Sequence, residues 1–496
     1  MKILFIYGAF ENLGIEYLSA VLKKHGHETK LAFTPRLFND PFLKIKYLGK
    51  FFSYEKYLLR EVLEYQPDLI AFSLISADYL WGVKLAQKIK EQLTSTHITV
   101  GGIHPTSTPE TVLANQAIDS VIRGEGEYAL LDLVECLKKG SDFAGVKNIC
   151  LKRDKQIIKN ELRPYIENLD ELPFPDKELY YRILPQYKSG YTLITRRGCV
   201  NHCSYCHNCV WQSLYPAQAK IRLRSVGNVL AELKEALGKY NFKRVRVNDD
   251  LFTYNEEWLK EFSGLYAKEI NRPLFCFGSP STINRRVIEY LKQLKCYQLC
   301  IGVQSTSSVL REKVLARKEN NEKIAEAIAW CKEYKIRCVI DNIIGLPLER
   351  EEDLLTMARF YNQNRPNRIC VFKLIYFPGT PITELAFKEK ILNKEQLKAI
   401  LESPEAVANT LQNRLQDREK IRYHWLLLLF FLPPALYNWI IEKKMYRFFP
   451  IGLSPSIVEA VFTVFAKDRL DVPRIRYYQR YRHFIKKILY FKINNI

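Results

Sequence analysis

Three cysteines, Cys199, Cys203 and Cys206, lie close together in the run Thr195-Arg-Arg-Gly-Cys-Val-Asn-His-Cys-Ser-Tyr-Cys206. Thiolates are soft ligands that select iron–sulfur clusters, zinc or copper(I). Structural zinc sites draw on two Cys-x-x-Cys pairs or on cysteines with distant histidines, and a three-residue gap followed by a two-residue gap fits neither. Free cysteines also fill cores, but three of them behind a glycine and among polar residues do not make an apolar segment. The spacing suits three corners of a [4Fe–4S] cube. The fourth iron then has no protein ligand, and an open iron is able to chelate a small molecule and pass it an electron. Cys209 falls outside this spacing and reads as a spare thiol. His202 and His207 flank the loop as polar residues.

The segment resembles the radical S-adenosylmethionine (SAM) superfamily in Cys199-x-x-x-Cys203-x-x-Cys206, with the aromatic Tyr205 before the last cysteine. The resemblance implies that the open iron takes the amino and carboxylate groups of SAM, and that the reduced cluster splits the S–C5′ bond to give a 5′-deoxyadenosyl radical.

Elements must position such a loop. Strand-like runs at 191–194, 244–248, 274–277, 300–303, 338–344 and 370–375 alternate with helical patterns, which predicts a partial (β/α)₆ barrel over residues 191–385. Barrel sites form at the carboxyl ends of the strands, and polar residues gather there. By the resemblance, Arg222, Arg224 and Ser225 form an early SAM-handling run, and Asp250 is the acidic end of the next strand. Gln304 and Ser305 stand where relatives carry Gly-Ile-Glu-Ser, and Asp341 and Gly345 bracket a strand end over adenosine. Gln304 keeps hydrogen-bonding capacity but removes a charge. Each of these could instead cap a helix or fill a turn. Phe377-Pro-Gly-Thr-Pro381 is expected to shape the rim facing the substrate.

Residues 1–150 show strand-like runs at 2–7, 68–73, 98–102 and 119–122 between helical patterns, which predicts a parallel sheet with helices on both faces. Ligands of such folds sit beyond the carboxyl ends of the strands. Glycines at 101, 102, 124 and 126 allow close backbone approach, although ordinary turns account for them equally. No G-x-G-x-x-G follows the first strand, so a nicotinamide domain is not expected. The segment resembles the cobalamin-binding domain placed before many radical SAM cores, in Leu13-Gly-Ile-Glu-Tyr-Leu-Ser-Ala-Val-Leu-Lys-Lys-His-Gly-His27, Phe72-Ser73, Val100-Gly-Gly-Ile-His-Pro105 and Arg123-Gly-Glu-Gly-Glu127. This implies a cobalamin cradle that includes Ser73, Gly101, Gly102, Gly124 and Gly126. There is no Asp-x-His-x-x-Gly motif, so the resemblance implies either cobalamin without a histidine ligand or a domain that has lost the cofactor. His104 reads as a structural loop residue.

The chain of 496 residues suggests three domains. The fold class is α/β: a Rossmann-like (flavodoxin-like) cobalamin-type domain at 1–150, a linker at 151–190, the radical SAM partial barrel at 191–385, and a mainly helical, basic C-terminal domain at 386–496. Leu172-Pro-Phe-Pro175 resembles the usual connector. Twelve cysteines are too sparse for a disulfide scaffold. No signal peptide precedes the first strand-like run, and a reducing, cytoplasmic location is expected.

Net charge is +21, and residues 441–496 hold twelve Lys and Arg against four Asp and Glu. Between Trp425 and Pro433 the unbroken apolar run has eight residues, short of the ~20 a membrane span needs. It reads either as part of a buried helix pair or as a hairpin lying in one leaflet. Trp425, Tyr437, Trp439, Lys443, Lys444 and Arg447 suit an interface with anionic lipid, on the inner face of the membrane. No RNA-binding module is visible, so a nucleic-acid partner is not expected.

The resemblance implies a cobalamin-dependent radical SAM methyltransferase with [4Fe–4S], SAM and cobalamin as cofactors. The expected substrate is an unactivated carbon of an apolar or lipid-linked molecule, the reducing partner a ferredoxin or flavodoxin, and the protein a monomer. The alternatives are a radical SAM oxidase, cyclase or carbon–carbon coupling enzyme and, more weakly, an iron–sulfur electron carrier or an RNA-binding or RNA-modifying protein.

Overall fold

The computed structural model describes residues 1–8, 10–39, 45–154, 156–216, 221–404, 406–408, 415–451 and 472–493. The strands β1 (Lys2–Gly8), β2 (Glu28–Thr34), β3 (Leu69–Ser73), β4 (His97–Gly101), β5 (Ser120–Ile122), β6 (Ile149–Arg153) and β7 (Gln156–Lys159) form one sheet. Their order is β2-β1-β3-β4-β5-β6-β7. Strands β1 to β5 pair in parallel, and β6 and β7 add an antiparallel edge. The order 2-1-3-4-5 is flavodoxin-like, with its ligand crevice at the β1/β3 switch point. Six of the seven residues of β1 are buried, as a parallel strand covered on both faces requires. The helix Leu13–Lys24 follows, its first turn capped by Asn12, whose side chain accepts the Ile15 N–H at 3.2 Å.

The second sheet begins with β8 (Gly190–Leu193). A short antiparallel pair follows, β9 (Arg196–Arg197) with β10 (Arg222–Leu223). Then come β11 (Arg244–Val247), β12 (Leu274–Gly278), β13 (Cys296–Gln304), β14 (Arg337–Ile344) and β15 (Arg368–Lys373). The six long strands pair in parallel in the order β15-β14-β13-β12-β11-β8. Six parallel strands in chain order, with helices between them, are consistent with a partial barrel. Asn255, Asn284 and Asn320 cap the helices Glu256–Glu269, Arg285–Gln293 and Asn321–Glu333. Alternate strand residues such as Val245, Cys276, Ile340 and Ile369 enter the outer core with these helices.

The first sheet runs to Lys159, past the boundary expected at 150. The helices Leu415–Leu428 and Pro434–Glu442 carry Leu426, Leu427, Tyr437, Ile440 and Ile441 into the outer core of the barrel, so this half of the apolar segment is a buried pair. Phe431, Leu436, Trp439 and Phe448 remain exposed. The helix Val472–Ile493 returns to the first sheet. There Phe484 stacks on Phe33 at 5.6 Å, and the Tyr481 hydroxyl accepts the Phe38 N–H at 2.9 Å. Residues 409–414 and 452–471 of the basic C-terminal region lie outside the described residues. Among the described residues no helix is long and apolar enough to cross a membrane.

Candidate active site

The cysteine loop leaves β9 through Gly198, whose φ of +96° favours glycine. Its backbone is tied at several points. The Ser204 N–H donates to Leu315 O at 3.1 Å, the Ser204 hydroxyl donates to Val314 O, and the Ile382 N–H donates to Ser204 O at 3.0 Å. Gln212 Nε2 donates to Cys199 O at 2.8 Å. Cys203 is buried, while Cys199 and Cys206 are half-buried. Burial, with Cys203 and Asp250 nearby, pushes the Cys199 thiol up to about 11 and the Cys206 thiol to about 12. Ligation of iron therefore displaces protons.

Cys209 Sγ donates to Cys206 O at 2.7 Å, which keeps it engaged within the loop. Among the described residues no three His, Cys, Asp or Glu groups converge as a site for a single ion; a cubane asks instead for thiolates at three separate corners. The donor set of Cys199, Cys203 and Cys206 fits that cluster.

Arg317 is a feature the sequence did not announce. One Nη donates toward Cys203 Sγ at 3.6 Å and the Tyr205 hydroxyl at 3.4 Å. The other donates to Gly302 O at 2.7 Å and to Glu319 at 2.6 Å. This buried guanidinium joins the loop to the carboxyl end of β13. Gln304 ends that strand at φ +69°, and Asp341 pairs in register with Gly302. Asp341 accepts the Cys300 S–H at 3.2 Å, and burial pushes its carboxyl up. The Gly345 N–H donates to Glu349 at 2.7 Å, and the side of Gly345 where a Cβ would stand is open. Tyr205 and Arg317 thus tie the loop to Gly302 on β13, with Gln304 further along that strand and Asp341 beside Gly302 on β14. Ser305 is buried just behind, its hydroxyl accepting the Ser307 N–H at 3.2 Å. Arg317 sits in Ala316-Arg-Lys-Glu319, a run with no motif that marks it.

Asp250 stands at the β11 rim. Solvent touches it, yet the surrounding protein raises its carboxyl, an effect the Asn208 hydrogen bond offsets. The neighbouring Asp249 is structural, accepting the Thr195 N–H at 2.7 Å and lying 3.3 Å from Arg196. The side chains of the Arg222, Arg224 and Ser225 run, expected to handle SAM, are engaged with protein partners in this structure. Arg224 donates to Glu232, to Ile194 O at 3.0 Å and to Asn228 at 2.7 Å. Ser225 caps the helix Val226–Tyr240. Arg222 donates to Glu125 at 2.8 Å and to Ile166 O at 2.7 Å, beneath the Tyr165 ring at 4.1 Å.

On the first sheet, Ser73 ends β3 and its hydroxyl accepts from Asn12 Nδ2 at 3.4 Å across the switch point. Protein neighbours explain the glycines. A Cβ on Gly102 (φ +106°) would stand 2.7 Å from Leu74 O, and one on Gly124 (φ +73°) 2.1 Å from the Tyr215 hydroxyl. Gly101 and Gly126 face Ile122 and Leu18 in ordinary or slightly tight contact. Both His104 nitrogens are engaged, with Ser76 at 3.0 Å and Thr108 at 3.3 Å, and burial lowers the ring to about 4. His207 lies near enough to His104 to influence its charge, and its Nδ1 is buried without a partner among the described residues.

One contact binds the two rims together. Arg197, two residues before Cys199, donates to Glu125 at 3.0 Å and to Glu127 at 2.5 Å. Burial favours a protonated Glu125, but Arg197 and Arg222 outweigh it and hold the carboxyl below its ordinary value. The turn after β5 is thereby fastened to the pair of strands that launches the cysteine loop.

Residues 4–134 match the B12 binding domain model, and residues 193–361 match that of the Radical SAM superfamily. An uncharacterized methyltransferase of Pyrococcus horikoshii is 25% identical over 392 residues, spanning 77% of this chain and 79% of the relative. The anaerobic magnesium-protoporphyrin IX monomethyl ester cyclase of a Synechocystis species is 32% identical over 326 residues, 64% of this chain and 63% of the relative. The solved structure of the cobalamin-dependent S-adenosylmethionine radical enzyme OxsB, with aqua-cobalamin and S-adenosylmethionine bound, shares the fold. It gives a TM-score of 0.69 at 15% identity, covering 100% of this chain and 80% of that one. The chain is a B12-binding domain fused to a radical SAM domain, an arrangement that matches that of the cobalamin-dependent radical SAM enzymes.

Proposed function

We propose that the protein transfers a methyl group to an unactivated carbon of an apolar or lipid-linked substrate. When bound, the cluster with SAM supplies the hydrogen-abstracting radical and cobalamin supplies the methyl group. The observation that carries this reading is the fastening of the post-β5 turn to β9 and β10 through Arg197, Arg222, Glu125 and Glu127. Such a fastening supports a radical source and a methyl donor acting on one substrate, which an electron carrier has no need of.

Cys199, Cys203 and Cys206 hold the cluster. Arg317 offsets the negative charge of the ligated thiolates by a charge-assisted hydrogen bond to Cys203. Gln304, Asp341, Asp250 and the open turn at Gly345 line the place of SAM, with Ser305 supporting Gln304 from behind. Ser73 and the backbone at Gly101, Gly102, Gly124 and Gly126 receive cobalamin. A small acidic electron donor such as a ferredoxin or flavodoxin suits a chain of net charge +21. The exposed Phe431, Leu436, Trp439 and Phe448 beside Lys443 and Lys444 support contact with an anionic membrane face. The cyclase relative supports a second reading, a radical reaction without methyl transfer.

Anaerobic reconstitution with iron, sulfide and cobalamin separates the two. Methyl transfer predicts cobalamin binding and, under reduction, both S-adenosylhomocysteine and 5′-deoxyadenosine from SAM. A cluster-loaded protein that binds SAM and takes up no cobalamin would overturn the proposal. Formation of 5′-deoxyadenosine alone would favour the second reading.

A further inference from the structure

The loop after β2 holds its backbone in a form that ordinary side chains avoid. Arg36 has φ +48° and Phe38 has φ +55°, in the left-handed region that strains any residue but glycine. Two such residues in one short loop persist only where their surroundings hold them, and strain of this kind gathers at ligand sites. What holds this loop comes from the far end of the chain. The Phe38 N–H donates to the Tyr481 hydroxyl at 2.9 Å, across 443 residues of sequence, and the two rings meet edge to face at 5.3 Å. Beside them the buried Arg480 guanidinium lies 5.0 Å from the ring of Phe10, in the loop after β1. Phe484 packs on Phe33 of β2 at 5.6 Å and on Tyr54 at 5.5 Å. The helix Val472–Ile493 thus clamps two of the loops at the carboxyl edge of the first sheet.

The strained loop reaches the switch point. Gly8 ends β1, and a Cβ there would stand 2.8 Å from Thr34 Cγ2 and 3.2 Å from Arg36 Cδ, so the Arg36 stem lies against the end of β1. That strand runs between β2 and β3. The Arg36 guanidinium ends beyond β3, paired with Asp78 and 5.3 Å from the Trp81 ring. Arg36 therefore crosses from β2, over the end of β1, to the turn after β3. β1 and β3 are the strands between which the cofactor crevice opens. On the same rim Asn12 and Ser73 present polar groups, and Ile75, in the turn after β3, is 40% exposed. Such a rim suits a large ligand with an apolar ring face and amide arms.

We infer that the helix Val472–Ile493 is a working part of the cobalamin site. Tyr481 is a positioning residue, fixing the loop after β2 so that Arg36 spans the floor of the crevice. Docking of the helix and binding of the cofactor then favour each other, and by linkage the effect is reciprocal. The inference rests on cobalamin uptake by the proposed enzyme and not on methyl transfer.

Hydroxocobalamin is the probe, titrated into the full chain and followed by its visible absorption, with amide hydrogen exchange read on the helix and on the loop. Saturating hydroxocobalamin is expected to slow exchange in the helix Val472–Ile493 by about tenfold or more, and to leave the helix Pro434–Glu442 unchanged. Tyr481→Phe keeps the ring and loses the hydroxyl. It should weaken hydroxocobalamin binding roughly five- to tenfold, the worth of one buried hydrogen bond, with unaltered circular dichroism. In a chain carrying Arg36→Gln and Asp78→Asn, which removes the ion pair without stranding a charge, Tyr481→Phe should have no further effect. A purely structural role would speed exchange in the Tyr481→Phe helix and leave hydroxocobalamin binding as it was; that result, or helix exchange unmoved by saturating hydroxocobalamin, would overturn the inference. An equal loss in the Arg36→Gln/Asp78→Asn chain would overturn the route through Arg36. A chain that takes up no cobalamin overturns this inference and the methyl-transfer reading together, whereas one that binds it and forms 5′-deoxyadenosine alone leaves this inference standing.

Discussion

Removing Arg197 should damage the contact between the two rims more than removing any other side chain in it. Its guanidinium serves Glu125 at 3.0 Å and Glu127 at 2.5 Å, with side-chain exposures of 17%, 11% and 5% in that order. Arg197→Ala leaves Glu125 with Arg222 at 2.8 Å, but among the described residues it leaves Glu127 with no cation. Stranding one member of a buried ion pair costs about 3–5 kcal/mol. Partial exposure of Arg197 argues for the lower end, about 3 kcal/mol. Arg222→Ala leaves Glu125 paired and forfeits a hydrogen bond to a charged group, ~1.5 kcal/mol at the low end, and the stacking on Tyr165, ~0.5 kcal/mol, about 2 kcal/mol together.

The readout is local, because a chain with two sheets need not unfold in one step. The Arg123 N–H donates to Asn148 O at 2.9 Å and the Gly124 N–H to the Thr106 hydroxyl at 3.2 Å. Their hydrogen exchange reports opening of the turn. A loss of about 3 kcal/mol is about a hundredfold faster exchange, at ~1.4 kcal/mol per decade. Adding Glu127→Gln removes the stranded charge and should recover roughly half of the loss. A change below tenfold in Arg197→Ala, an effect no larger than that of Arg222→Ala, or no recovery in the double variant would refute the reasoning.

Serine at Cys199, Cys203 or Cys206 should abolish the visible absorption and bound iron of the reconstituted protein, whereas Cys209→Ser should retain both, because its thiol donates to Cys206 O. His104 is held neutral, near 4, by burial; the unfolded chain takes up that proton at higher pH, so stability falls as pH drops from about 6.5 toward 4. Between pH 7 and pH 5.5 this amounts to about 1 kcal/mol, and His104→Asn should flatten that limb of the denaturation midpoint against pH. Gly124→Ala places a Cβ 2.1 Å from the Tyr215 hydroxyl at φ +73°, and should lower thermal stability by more than the ~1–2 kcal/mol of left-handed strain alone. Tyr215→Ala in the same chain should return the excess.

Legibility followed burial. The apolar runs of β1, β3 and β4 were visible because parallel strands are covered on both faces. β7 was not, since Gln156–Lys159 is largely exposed and pairs antiparallel at the edge, so the boundary expected at 150 falls short of the last strand. The cysteine loop was legible because ligand spacing is local. The protein partners of Arg222 and Arg224 were not legible, because a motif shows residue types and not partners such as Glu125, whose proximity only the fold creates. Arg317 escaped for the same reason: nothing within Ala316–Glu319 reveals that Cys203 closes over it.

The two sheets meet through charges where hydrophobic contact would have served for adhesion. Lys177 is buried between Glu11 at 3.2 Å and Glu16 at 2.6 Å, and Glu11 also accepts the Thr192 hydroxyl at 3.0 Å from β8. Arg224 reaches toward the Tyr17 hydroxyl at 3.4 Å, and Arg197 holds the turn after β5. Such pairs add little net stability over apolar packing of the same volume. Their energy is steep in displacement, however, because a shift of one or two ångströms strands a charge on each side. Apolar surfaces slide at little cost; these do not. Apolar contact adds to these pairs, with Ile194 and Tyr240 packed against the core of the first sheet, where Phe484 and Ile488 of the C-terminal helix also sit. A chain whose cysteine loop and B12-binding domain belong to separate sheets needs such registration, since the gap between them must stay fixed through each turnover.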